Sequence, residues 1–283
     1  MTQDDASLAK PPGTLTPPAS DSDSDIPDDQ PPARTPDPTT LLSKALHVLA
    51  TEAAALSHIS TLYQTDPEAQ SSLRHAVSAV LDAHRKGGKL LACGVGKSGY
   101  IAQKLVATCK SLGLGASFLH ACEALHGDLG DIRPHDVVLF VTFSGQTAEL
   151  LNLLPHIPLS TRILALSGHS RREKCAVLSG RGDSVLLPAT IPEKEEVSFG
   201  VAAPTVSTTV ALAVADMLAL TVAEALCGGG LREVFGRNHP GGAIGVGYRE
   251  VEGKREVEVL KSGGGACVVL ELPSPSISGS DGG

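Results

Sequence analysis

Residues 89–104, KLLACGVGKSGYIAQK, decide the fold class. An apolar run of strand length, Leu90 to Cys93, enters a glycine turn, and helical spacing takes over from Lys97. A short buried strand that turns at glycines into a helix is the opening of a βαβ unit. The pattern recurs at 137–150, VVLFVTFSGQTAEL, with a helix read over AELLNLLPHI (148–157). Further strands are read at ASFLH (116–120), RILALSG (162–168) and SVLLPA (184–189). Strands alternating with helical segments predict an α/β domain with a parallel sheet. Upstream, Leu41–Tyr63 reads as a helix, and a second begins at Pro67 and stops at Gly87 and Gly88. Residues 204–226, PTVSTTVALAVADMLALTVAEAL, read as a long apolar helix starting at a proline, to be buried in the domain or in a subunit interface.

Composition narrows the function. Of the 283 residues, 42% are hydrophobic but only 3% aromatic, with no Trp, so the core must be built from Ala, Val and Leu. The net charge of −8 is unevenly placed. Residues 1–40 hold eight Asp, one Lys and one Arg, a net of −6, which leaves −2 for the rest. A near-neutral body argues against nucleic-acid binding and against a polybasic membrane contact. The same 40 residues hold nine of the 19 prolines and read as a disordered acidic tail, neither secretory nor mitochondrial in pattern. Asp216 and Glu224 interrupt the longest apolar stretch, so no membrane span is expected. The six cysteines, at 93, 109, 122, 175, 227 and 267, form no CxxC pair; buried thiols in the cytoplasm are the simple reading. Residues 249–283 read as a partly disordered extension with one strand at ACVVLEL (266–272).

Three features carry chemistry. Gly94-Val95-Gly96-Lys97-Ser98-Gly99 matches GxGxxG, but the next strand ends at His120, with no acidic residue to hold a ribose. Position 91 is Leu, so the P-loop pattern fails as well. What survives is a turn presenting amides, Lys97 and Ser98 to an anion; a tight turn with an exposed lysine would look the same. Thr142-Phe143-Ser144-Gly145-Gln146-Thr147 offers hydroxyls at 142, 144 and 147 before a helix, more than the single one a helix cap requires, and so suits a phosphate. His120, His126, Glu149, Glu195, Glu196 and His239 lie mostly near strand ends, where ligands of parallel sheets gather. Singly, each has an ordinary structural explanation.

GVGKSGYIAQK (94–104), HACEALHGDLGDIRPHDVVLFVTFSGQTAEL (120–150), KEEVSFGVAAPTVSTT (194–209) and NHPGGAIG (238–245) occur in an order that resembles the sugar isomerase (SIS) domain family. The resemblance covers roughly residues 41–248 and is strongest to the arabinose-5-phosphate isomerases, which interconvert D-ribulose 5-phosphate and D-arabinose 5-phosphate. It implies a flavodoxin-like three-layer αβα sandwich on a five-stranded parallel sheet, in homodimers or homotetramers that share active sites. It places catalytic roles on Lys97, Glu149, Glu195 and His239, the phosphate on the 142–147 turn, and a substrate contact on His126. No cofactor is implied, although zinc can bind at the position of His120. This chain is one residue longer than the family pattern before VAAPT; counting back from Gly200 selects Glu195, and from Pro204 selects Glu196. Fewer than 40 residues follow Gly245, too few for the paired CBS module that many such isomerases carry.

The chemistry suits these residue types. Aldose–ketose isomerisation through an enediolate needs a base, a group to shuttle a hydroxyl proton, and charge or donors at the developing oxyanion. Glu149 or Glu195 is the base; residue type alone leaves the choice open. Two other readings compete: a sugar-phosphate-binding regulatory protein without catalysis, and a dinucleotide-dependent oxidoreductase built on the glycine turn.

Overall fold

A computed structural model of the chain describes residues 37–241 and Gly245; the acidic tail and the strand read at 266–272 fall outside the described residues, apart from 37–40. The chain divides into Met1–Ser43 and Lys44–Gly283, and of the first unit the described residues form the opening turns of α1 (Pro38–Thr65). That helix begins three residues before the expected Leu41, with Pro38 in its first turn, where a missing N–H costs nothing. α2 (Pro67–Arg85) follows, and Asp66 caps it by accepting from Glu68 N at 2.8 Å and Ala69 N at 3.4 Å.

Five parallel strands come next: β1 (Leu90–Gly94), β2 (Ala116–Leu119), β3 (Val137–Val141), β4 (Arg162–Ser167) and β5 (Val185–Pro188), in the order β2-β1-β3-β4-β5. Order reverses between β1 and β3, the switch point of a flavodoxin-like sheet. Leu90 pairs with Ala116 on one side and Val137 on the other, and Val141 with Leu166. Between strands lie α3 (Lys97–Ser111), a short α4 (Ala121–Ala124) and α5 (Ala148–Leu153); after them come α6 (Glu195–Phe199), α7 (Val206–Cys227) and α8 (Leu231–Asn238).

Alternating strand residues send two cores outward. Leu90, Ala92, Leu139, Leu164 and Leu187 meet α2, α3 and α7 on one face. Leu91, Cys93, Phe140, Ile163 and Leu186 meet α4, α5 and 3-10 turns on the other. Phe140 is the one aromatic among the largest fully buried side chains, so the core is aliphatic as composition requires. α7 is long and apolar enough to cross a membrane by composition, yet it buries Val210, Val214, Leu218 and Val222 within the first core. Among the described cysteines, 93, 109 and 175 are buried as expected, whereas Cys122 is exposed and Cys227 intermediate; all five are free thiols.

α4, α6 and α8 have no counterpart in the sequence reading; each spans only about one to two turns, whereas the equally short α5 is visible because its apolar run continues into a 3-10 turn at Leu154–His156. The apolar helix starts at Val206 instead of Pro204, and the intervening Thr205 is its N-cap.

Candidate active site

The carboxyl ends of β1, β3, β4 and β5, with the loop after β5 and the start of α7, enclose a cavity of about 440 Å³, within the roughly 300–1,000 Å³ of small-molecule sites. Lys97, Ser98, Glu195, Glu196, Lys194 and Phe143 are among its lining. Lys97 and Ser98 reach it because the glycine turn lets β1 pass directly into α3. Gly96 has φ +60°, and a Cβ at Gly94 would stand 2.7 Å from Ser98 O, so both positions suit glycine. Lys97 and Ser98 open α3, while Ser207 and Thr208 open α7. The cavity therefore receives two helix N-termini, each favouring negative charge.

One of those N-termini already holds a carboxylate. Glu195 is 9% exposed, and its Oε1 accepts from Thr205 N at 2.6 Å, Ser207 N at 2.9 Å and Ser207 Oγ at 2.9 Å. Thr205 itself makes no side-chain cap, so Glu195 caps α7 from ten and twelve residues away. Glu196, the other alignment, lines the same cavity but is exposed. Geometry thus separates two neighbouring glutamates that counting could not.

The hydroxyl turn lies at the end of β3. Its groups engage one another instead of standing free. Thr142 Oγ1 and Thr147 Oγ1 are 2.8 Å apart, Thr142 Oγ1 also accepts from Gly145 N at 3.2 Å, and Ser144 Oγ accepts from Gln146 N. No hydroxyl caps α5. The loop after β4 clamps the turn's carbonyls: Ser167 Oγ and Gly168 N donate to Phe143 O, His169 Nε2 to Ser144 O at 2.8 Å, and Val177 N to Gly145 O. Phe143 gives the cavity a ring that the scarcity of aromatics did not foreshadow; a Cβ at Gly168 would stand 2.5 Å from it. Glu149 is half-buried in the first turn of α5, just beyond the hydroxyl turn and outside the cavity's lining.

The three histidines stand apart. His120 caps α4, its Nδ1 accepting from Glu123 N at 3.4 Å, and His126 is exposed after α4. Among the described residues no group of three or more His, Cys, Asp or Glu side chains is placed to hold a metal ion. His239 ends α8, with Nδ1 donating to Phe235 O at 2.8 Å, Nε2 3.3 Å from Ser111 Oγ, and its ring stacked on Phe235. Ser111 closes α3, fourteen residues from Lys97, or about 21 Å at 1.5 Å per residue. Within one chain, His239 and the cavity lie at opposite ends of α3.

Lys194, Ser167, Ser207, Thr208 and His169 were not singled out from sequence. Ser167 and His169 were detectable, since they flank the carboxyl end of β4. Ser207 was not, because only the remote cap gives it meaning.

Residues 85–221 match the family described as the SIS domain. A Helicobacter pylori J99 protein of uncharacterised function is 38% identical over 202 residues, 71% of this chain and 57% of its own length. An arabinose 5-phosphate isomerase of Yersinia pestis is 38% identical over 65% of this chain and 53% of its length, so the chain spans little more than half of these curated relatives. An Escherichia coli CFT073 protein solved in complex with a sugar phosphate superposes with a TM-score of 0.60 at 29% identity, over 72% of this chain and all of that one. From the end of α2 through most of α7, residues 85–221, the chain carries a SIS domain.

Proposed function

We propose that the protein is an aldose–ketose isomerase of sugar phosphates, interconverting D-arabinose 5-phosphate and D-ribulose 5-phosphate through an enediolate. The observation that carries the reading is the buried Glu195 carboxylate facing the same cavity as Lys97, between two helix N-termini. The relatives named arabinose 5-phosphate isomerase support the substrate class.

In this reading Glu195 removes the proton from C2 of the aldose and returns it to C1 of the ketose. Lys97 stabilises the enediolate oxygen, and the hydroxyl turn, opened from its internal bonds, holds the phosphate. Glu149, at the base of that turn, shuttles the hydroxyl proton. The proposed chemistry requires no cofactor. His239 serves the site of a second copy, because it stands about 21 Å from Lys97 along its own α3. The exposed stripe of α1, Leu46, Leu49, Ala53 and Leu56, supplies a face for that homo-oligomer.

Mixing inactive Glu195→Gln and His239→Asn chains tests the shared site. Activity that reappears in the mixture, from hybrid sites holding both native residues, supports it; a mixture that exchanges subunits and stays inactive contradicts it. Incubation with ribulose 5-phosphate that yields no arabinose 5-phosphate from folded protein contradicts the substrate.

A further inference from the structure

We propose that Ser207 is a positioning residue for Glu195, fixing Oε1 so that Oε2 is the oxygen that takes the substrate proton. The inference rests on the isomerase reading for its kinetic consequence, but its structural half stands alone. Oε1 receives three donors, Thr205 N, Ser207 N and Ser207 Oγ, more than the two lone pairs of one carboxylate oxygen, so it has none left for substrate. Two of the donors are amides fixed by the start of α7. The third, the Ser207 hydroxyl, is the only one a side chain supplies, and it spends its single proton on Glu195. Ser207 is only 4% exposed, which limits the access of water to that bond. A base must be held within a fraction of an ångström of its proton, and locking one oxygen leaves the other a defined direction.

The test compares wild type with Ser207→Ala. Removing a donor to the charged carboxylate moves the acidic limb of the kcat/KM profile upward by about one pH unit. With the base less well held, kcat falls about tenfold while KM stays within about twofold. Ser207→Thr, which keeps the hydroxyl, restores both. If Ser207→Ala does not fold, Ser207→Thr against Ser207→Val asks the same question at matched shape. Titration of the Glu195 carboxyl by 13C NMR reads the pairing without activity. Its midpoint rises in Ser207→Ala if the hydroxyl holds the carboxylate. Identical midpoints, or an unmoved acidic limb in an active enzyme, overturn the positioning role. A wild-type protein that isomerises no sugar phosphate while the midpoints still differ overturns the isomerase reading and leaves the Glu195–Ser207 pairing standing.

Discussion

α2 and α7 lie side by side on one face of the sheet, and each begins with a carboxylate on its free amides. At α2 the cap is Asp66, adjacent in sequence, with donors two and three residues on. At α7 it is Glu195, whose donors lie ten and twelve residues on and whose side chain also lines the cavity. A local cap serves its helix alone. A remote cap ties the position of a cavity-lining carboxylate to the start of the longest core helix after α1, so folding the core also shapes the cavity.

Substitutions can break this contrast. Glu195→Gln keeps an acceptor for the α7 amides but removes the carboxylate proposed as the base. Turnover is expected to fall by about 10²–10⁴-fold with little change in thermal midpoint, read by a coupled sugar-phosphate assay and calorimetry. A melting loss as large as that of Glu195→Ala would show that charge, and not the hydrogen bonds, holds α7. Glu195→Ala leaves three donors unpaired, two of them amides, and is expected to cost about 1–3 kcal/mol in urea unfolding as well as activity. Asp66→Ala is expected to cost about 1 kcal/mol and leave turnover unchanged. Lost turnover in that variant would erase the distinction between the two helix starts.

The distinction also explains what the sequence disclosed. The Pro67 helix start, the glycine turn and all five strands were legible because their signals are local: an apolar run, a proline, a glycine with a steric reason. Lys97 followed from the turn. The roles at α7 were not legible, since Glu195 opens α6 and a loop separates that helix from Ser207, and no periodicity relates them. The hydroxyl turn was found by residue type, but its hydroxyls bond one another, which type cannot disclose. His239 was recognisable through its motif, yet its place at the far end of α3 follows only from α8 folding back onto Ser111.

A pH scan separates the core from both caps. Burial pushes the Cys93 and Cys109 thiols up to about 12, from 9.0 for a free thiol. Each group binds its proton more tightly when folded, so their contribution is fully present below pH 9 and is lost as pH rises toward 12. The loss is about 1.4 kcal/mol per pH unit for each thiol as an upper bound, and nothing at neutral pH. Unfolding free energies between pH 8 and 11 should fall less steeply in Cys93→Ala and Cys109→Ala; unchanged slopes would deny the thiols that role.

The central claim is that Glu195 is the base in a sugar-phosphate isomerase. It is tested most directly by following loss of the C2 proton of arabinose 5-phosphate to D2O by NMR. Exchange with wild type, reduced at least about a hundredfold in folded Glu195→Gln, is the predicted result. Exchange that proceeds unchanged in Glu195→Gln would contradict it.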